Sequence, residues 1–296
     1  MVEAVDVAIV GAGPAGIAAA IQLKRYGIEP LVLEKGIIGG LLNNANLVEN
    51  YPGFPKGVSG IKLAKLFRRQ LELLNIQVNR EEVISIDYYN DRFIINTTRG
   101  NYRSGILLLA SGTKPRKGTL PVAGKDNETG VLYEITSVLG VRDARFAIIG
   151  AGDAAFDYAL NLSKYNQVSI NNRGSAISCL PLLRKRIINN SNITYRENCS
   201  LTHIKNTLDC LEICWRNNGK EITESVDYLV YAIGRIPNLD FLTESTGANL
   251  DKLQRKGVLF TAGDMRNGRY RQASIAVGDG VRAAMKIERK LNEFII

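Results

Sequence analysis

The chain has 296 residues, 45% of them hydrophobic and 23% charged, enough for about two domains with sizeable cores and too apolar for a mainly disordered chain. Its longest apolar run, Tyr228 to Ile233, is far short of the ~20 residues of a spanning helix, so no membrane association is expected. Lys and Arg total 38 against 29 Asp and Glu, a net charge of +9 that favours anionic partners, but no block of like charge exceeds Arg184-Lys185-Arg186, so no nucleic-acid-binding tail is expected.

The opening Met1-Val2-Glu3-Ala4-Val5-Asp6 has no basic n-region of a secretory leader, and a cytoplasmic protein is expected. Val5 to Val10 reads as a buried strand ending in Gly11-Ala12-Gly13-Pro14-Ala15-Gly16, then a helix from Ile17 to Tyr26 and a second strand, Leu31-Val32-Leu33. Ile61 to Leu74 has the spacing of an amphipathic helix. Val83 to Asp87 and Arg92 to Thr97 read as strands around a turn at Tyr89-Asn90-Asp91, and Ile106 to Ala110 as a strand covered on both faces. Ser111-Gly112-Thr113-Lys114-Pro115 is turn-rich and reads as a crossing to a second domain. There the opening pattern recurs. Phe146 to Ile149 runs into Gly150-Ala151-Gly152-Asp153-Ala154-Ala155, a helix over Phe156 to Lys164, and the strand Val168-Ser169-Ile170. A return crossing near Gly234-Arg235-Ile236-Pro237 precedes a strand at Val258 to Ala262 and a helix over Gln272 to Leu291. The expected fold is α/β: two three-layer Rossmann-type nucleotide-binding domains, with residues 115–236 inserted between 1–114 and 237–296.

Each glycine loop sits between a strand and a helix, the context that gives a Gly-x-Gly-x-x-Gly string its meaning. In the first, Gly11 permits the tight turn, Gly13 lets backbone approach a pyrophosphate, and Gly16 lets helix pack on strand. The helix N-terminus, with Pro14 and Ala15 in its first turn, presents free N–H groups to an anion. Glu34, 23 residues after Gly11, can accept from ribose hydroxyls, a feature only a dinucleotide needs. The plainer reading is that these glycines merely turn the chain. In the second loop Gly150, Gly152, Asp153 and Ala154 are the candidate binding residues, with Ala155 in place of the third glycine. Its second strand ends in Asn171-Asn172-Arg173, with no acid for a free 2′-hydroxyl and an Arg that can pair with a 2′-phosphate, which leans to NADPH over NADH.

One His, His203, argues against His-based catalysis and His-rich metal sites, and no metal is expected. Of Cys179, Cys199, Cys210 and Cys214, no two form Cys-x-x-Cys, which excludes a zinc knuckle or a vicinal redox pair. Leu208 to Trp215 alternates as a strand, which spaces Cys210 and Cys214 ~13 Å apart on one face. A two-residue turn at Asn206-Thr207 would set Cys199 opposite Cys214. A disulfide is conceivable there, but unpaired, half-buried thiols are expected.

Gly11 to Gly16, Gly39-Gly40, Glu49-Asn50-Tyr51-Pro52-Gly53-Phe54, Ala110-Ser111-Gly112, Gly263-Asp264 and Arg271-Gln272-Ala273 together resemble the low-molecular-weight thioredoxin reductase family of flavoproteins over essentially the whole chain. The resemblance implies an FAD domain interrupted by an NADPH domain, and a homodimer. It implies that Asp264 contacts the FAD ribityl chain and that Arg271, Gln272 and Ala273 lie against the isoalloxazine ring. Gly40, Leu41, Asn50, Ala110, Gly112 and Gly263 complete the implied FAD residues. Tyr51, Pro52 and Phe54 either form a packed turn or sit near the flavin.

Two departures from the family pattern matter. Its redox Cys-x-x-Cys follows a Gly-Val-x-Tyr segment; here Gly130-Val131-Leu132-Tyr133 leads into Glu134-Ile135-Thr136-Ser137, with Glu134 and Ser137 in place of the cysteines. Of the family's His-Arg-Arg-x-x-x-Arg phosphate string only Arg173 remains, with Arg184 and Arg186 as substitutes. The expected activity is an FAD-dependent NAD(P)H oxidoreductase that passes electrons to an acceptor other than a vicinal disulfide: oxygen, a quinone or dye, or ferredoxin. Glu134 is either a proton carrier beside the flavin or a solvent-facing loop residue. Ferredoxin–NADP reductases of this fold also lack the Cys pair, but they carry a longer tail than Phe294-Ile295-Ile296. The alternatives are a thioredoxin reductase homologue inactive on thioredoxin and a flavin-binding protein without activity.

Overall fold

The computed structural model describes residues 3–123, 129–207 and 209–293. Met1, Val2, Leu208 and Phe294 to Ile296, on which parts of the sequence reading fall, lie outside the described residues. The chain divides into two compact units, Met1–Asn43 with Val48–Lys114 and Ile236–Ile296, and Asn44–Leu47 with Pro115–Arg235.

The first unit opens with β1 (Glu3–Val10), α1 (Pro14–Arg25), β2 (Leu31–Glu34), a 3-10 turn at Gly40–Asn44, and α2 (Gly60–Leu73). Then come β3 (Val78–Arg80), β4 (Val83–Tyr89), β5 (Arg92–Thr97), β6 (Asn101–Leu109) and the short β7 (Thr113–Pro115). The sheet order is β3-β2-β1-β6-β5-β4. β1 lies parallel to both β2 and β6, and its two faces enter different cores. Val7 and Ile9 pack with α1, whereas Ala8 and Val10 pack with Phe93 and Ile95 of β5. Burial on both faces is why this strand reads as an unbroken apolar run. The turn from β4 to β5 places Asn90 at φ 47 and Asp91 at φ 58, the pair of left-handed residues a two-residue hairpin demands. Ser59 caps α2, its hydroxyl accepting from the Lys62 amide.

The second unit holds β8 (Val122–Ala123), β9 (Val131–Leu132), β10 (Arg145–Ile149), α3 (Asp153–Leu162), β11 (Gln167–Asn171) and α4 (Pro181–Ile188). It continues with β12 (Ile193–Arg196), β13 (Cys199–Asn206), β14 (Leu211–Asn217), β15 (Lys220–Val226) and β16 (Tyr228–Tyr231). The five strands in the order β12-β11-β10-β16-β9 are all parallel, and β15-β14-β13-β8 form a second sheet. The expected turn at Asn206-Thr207 is corrected here. Asn206 pairs with Leu211, so the connection is longer, and a bulge between Leu201 and His203 shifts the register again. Cys199 therefore faces Asn217, and Cys214 faces His203. Cys210 precedes β14 rather than sharing a strand face with Cys214. All four cysteines are free thiols. The two-residue turn is Asn218-Gly219, both left-handed, between β14 and β15.

The chain returns through β17 (Arg235–Pro237), α5 (Glu244–Ala248), α6 (Leu250–Lys256), β18 (Leu259–Thr261), a 3-10 turn at Gly263–Met265, and α7 (Ala273–Glu293). β18 adds to β6 in parallel. α7 packs along α1 at close range: a Cβ on Gly280 would stand 2.1 Å from the Ala15 carbonyl oxygen. Among the described residues no helix is long and apolar enough to cross a membrane.

Candidate functional site

In the first unit the glycine loop is held from both sides. The Gly11 amide donates to the Leu33 carbonyl (2.8 Å), and Gly11 has φ +105. A Cβ there would lie 2.4 Å from the Ala110 carbonyl oxygen, and one on Gly16 would lie 1.9 Å from that of Gly11. Both glycines are required by the chain itself. Gly13 is not: its φ of −77 and ψ of −177 suit any residue, and a Cβ would meet nothing within 4 Å. The loop thus keeps open backbone in front of the α1 N-terminus, where the first amides lack helical partners and no acidic side chain intrudes. That is a cradle for a phosphate group, and the residues present fit a bound dinucleotide.

Glu34, at the end of β2, accepts from the amides of Ala12 and Gly36, each at 2.7 Å. Its carboxylate is pinned to the loop by the chain's own amides. Beside it opens a cleft of about 420 Å³, whose lining includes Gly11, Glu34, Glu81, Ser111 and Asp240. The cleft lies beyond the carboxyl ends of β1 and β2, where open α/β sheets bind ligands. The carboxylate of Glu81 is committed to Thr97 (2.5 Å) and Tyr102 (2.9 Å).

The residues expected beside a flavin fall into two groups within this unit. Gly263, at φ +75, is so close to α1 that a Cβ would stand 2.9 Å from that of Ala15. Ala110 touches the loop through Gly11, and Asp264 follows in the Gly263–Met265 turn. Gly112 is left-handed at φ +64. Gly40, at φ +52, begins the 3-10 turn that carries Leu41, and a Cβ on it would lie 3.6 Å from the Gly13 Cα. The second group is Asn50 and Gln272, whose side-chain amides are bonded at 2.8 Å. Gln272 accepts the Ala276 amide and so begins α7, just after Arg271 and before Ala273. Tyr51 packs on Phe54 and Phe67, with ring centroids 6.2 and 5.9 Å apart, and burial pushes its phenol above the usual range.

In the second unit Gly150 repeats Gly11. Its amide donates to the Asn171 carbonyl, φ is +144, and a Cβ would lie 2.5 Å from the Ala232 carbonyl oxygen. Gly152, like Gly13, has no backbone need for glycine: φ is −101, ψ is 178, and the nearest atom to a Cβ is the Ser178 hydroxyl at 3.5 Å. Asp153 accepts the Leu180 amide at 2.7 Å, and Ala154 beside it is exposed. At the end of β11 both asparagines turn inward. Asn171 meets Ser169 and Arg196, and Asn172 meets Ala176 and Tyr195. Arg173 and Arg184 point to solvent, and Arg186 is half-buried.

Glu134 follows β9, and its carboxylate accepts from Arg235 (2.9 Å) and Asn44 (3.5 Å). It is a loop carboxylate that keeps about 41% of its side chain exposed while paired with Arg235. Ser137 is exposed within the one-turn Thr136–Val138 helix. The Asn44 side-chain oxygen, Oδ1, caps that turn, accepting from the amides of Ile135 and Thr136 and from the Thr136 hydroxyl. Two acids shielded by the fold, one half-buried and one buried, carry no mark in the sequence. Asp157 in α3 accepts the Asn46 amide; burial lifts its pKa to about 6, against the bonds from Asn46 and Leu47 and the charge of Lys164. Asp279 in α7 accepts from Gly263 and Asn267. No local pattern in the sequence points to either acid.

A family model described as pyridine nucleotide-disulphide oxidoreductase matches residues 5–280. The chain is 31% identical over 305 residues to a thioredoxin reductase of Chlamydia pneumoniae, covering 96% of this chain and 97% of that one. It is also 31% identical to NADPH-dependent thioredoxin reductase 3 of Arabidopsis thaliana, of which it spans 58%. The thioredoxin reductase of Lactococcus lactis superposes with a TM-score of 0.85 at 26% identity, over 98% of this chain and 99% of that one.

Proposed function

The chain belongs to the pyridine nucleotide-disulphide oxidoreductase family, in its thioredoxin reductase-like branch, and from that premise we propose that it carries electrons from NADPH through FAD to an acceptor other than a vicinal protein disulfide. Enzymes of this branch are FAD-dependent NAD(P)H oxidoreductases. Bound FAD supplies two-electron chemistry, taking a hydride from a reduced nicotinamide and yielding both electrons to an acceptor.

The chain's own residues supply position and charge. The open backbone at Gly13 and the α1 N-terminus hold the pyrophosphate of FAD, and that opening is the observation that carries the cofactor assignment. Glu34 has lone pairs left to accept from ribose hydroxyls. Asp264 and the start of α7, with Gln272, line the flavin side. The positive end of α7 favours negative charge that develops there. In the second unit Gly150 and Gly152 take the nicotinamide dinucleotide, and Arg173 reads its 2′-phosphate. Glu134 is held by Arg235 and Asn44 and serves to fix this segment, not to ferry a proton. The acceptor assignment rests on the sequence: residues 134–137 contain no sulfur, and no two cysteines form Cys-x-x-Cys. Dioxygen, a quinone or dye, and ferredoxin remain as acceptors, and the enzyme works as a homodimer.

Anaerobic addition of NADPH to the yellow protein tests the proposal. The flavin band is expected to bleach, faster with NADPH than with NADH. No bleaching with either would contradict it and leave a flavin-binding protein without this activity.

A further inference from the structure

We propose that Asp279 is the positioning residue of the flavin site, a buried carboxylate that locks the Gly263–Asp264 turn to α7 and to the first turn of α1; this rests on the reading of the first unit as the FAD seat. Only two carboxylates are buried among the described residues, Glu81 and Asp279, the latter 4% exposed. A carboxylate is costly to bury unless its oxygens are met. Glu81 is met by Thr97 and Tyr102 and belongs to the sheet. Asp279 is met by the turn. Its Oδ2 accepts from the Gly263 amide (3.3 Å) and from Asn267 Nδ2 (2.6 Å), while its Oδ1 accepts from Arg282 one helical turn on.

The turn it holds is tightly seated. Gly263 is left-handed, and its missing Cβ leaves room for Ala15 in the first turn of α1. The residue after Asp279 is Gly280, whose missing Cβ lets α7 approach the same Ala15. Adjacent residues of α7 therefore fix two things at once. Gly280 sets the distance to the helix end that cradles phosphate, and Asp279 sets the turn that carries Asp264. A helix needing only to pack could place an apolar residue here. A charged acceptor aimed at a backbone amide in a glycine turn holds that turn in one register. Burial alone would raise this carboxyl's pKa, but bonds from Asn267, Arg282 and Gly263 outweigh burial and hold it below the usual range. The acceptor thus stays ionised at neutral pH. Arg282 lies largely in solvent and balances the charge without touching the turn.

The test compares wild type with Asp279→Ala, Asp279→Asn and Arg282→Ala. FAD affinity is measured by recovery of flavin fluorescence on dilution, and thermal unfolding of the flavin-free proteins is measured in parallel. Asp279→Ala is expected to weaken FAD about ten- to a hundredfold, Asp279→Asn less, and Arg282→Ala about threefold at most. NADPH binding to the second unit should be unchanged in all three. A purely structural Asp279 would lower the unfolding temperature of the flavin-free protein and leave FAD affinity of the folded fraction alone; that result overturns the proposal. Should Asp279→Ala not fold, Asp279→Asn with wild-type FAD affinity overturns it equally. Wild-type protein that binds no FAD would instead overturn the reading of the first unit, and the proposal with it.

Discussion

Gly13 and Gly16 stand three residues apart and answer to different constraints. A side chain at Gly16 would strike the Gly11 carbonyl, whereas one at Gly13 would meet open space. Gly13→Val should therefore fold normally and purify colourless, while Gly16→Ala should lose folded protein; circular dichroism and flavin absorbance of the purified proteins separate the two. Folded, yellow Gly13→Val protein would refute the cradle. Arg173 offers a second test at this scale. A charge-assisted contact to a 2′-phosphate is worth about 1.5–3 kcal/mol, so Arg173→Ala should weaken NADPH roughly ten- to a hundredfold and leave NADH nearly unchanged. Equal losses for the two nucleotides would remove Arg173 from that role. The loop glycines were legible because strand, turn and helix surround them in sequence. That Gly13 alone is free of the fold was not legible, since it depends on Ala110 and the return of β6 about a hundred residues later.

The two strand–turn–helix–strand units show how far local pattern reaches. Both are plain in the sequence because apolar runs buried on two faces need no alternation, and a glycine turn marks where each ends. The second unit tolerates Ala155 where the first requires Gly16, so its turn is looser. Local pattern fails where long-range pairing decides. The β13–β14 register departs from the sequence expectation because the hairpin connection is longer than two residues and β13 carries a bulge, while the two-residue turn falls at Asn218-Gly219. Asn44 capping the turn at Ile135 and Thr136 joins residues some ninety apart, which no spacing rule reaches. Asp157 is also hidden in this way, and its burial carries a pH prediction. Its folded pKa of about 6 lies above the ~3.9 of an unfolded chain, so the folded state binds the extra proton and stability falls as pH rises from about 4 to about 6. Asp157→Asn keeps an acceptor for Asn46 without the charge. It should stabilise the second unit by about 1–2 kcal/mol at pH 8, with the gain vanishing near pH 4. Urea unfolding at both pH values checks this, and an equal effect at both would show that the charge is not what burial opposes.

For the whole molecule the question is where the electrons go. The net charge of +9 suits two anionic cofactors and an anionic protein acceptor alike. If ferredoxin is the acceptor, turnover with it should fall steeply as ionic strength rises, while turnover with a neutral quinone should not. Thioredoxin should not be reduced, because residues 134–137 contain no sulfur and no two cysteines form Cys-x-x-Cys. The most direct measurement is an anaerobic reductive titration of the purified yellow protein, counting electrons taken up per FAD. A flavin acting alone accepts about two, and a flavin with a redox-active disulfide about four. About two electrons per FAD is the predicted result; about four would place a working disulfide among Cys179, Cys199, Cys210 and Cys214 and contradict the proposed function.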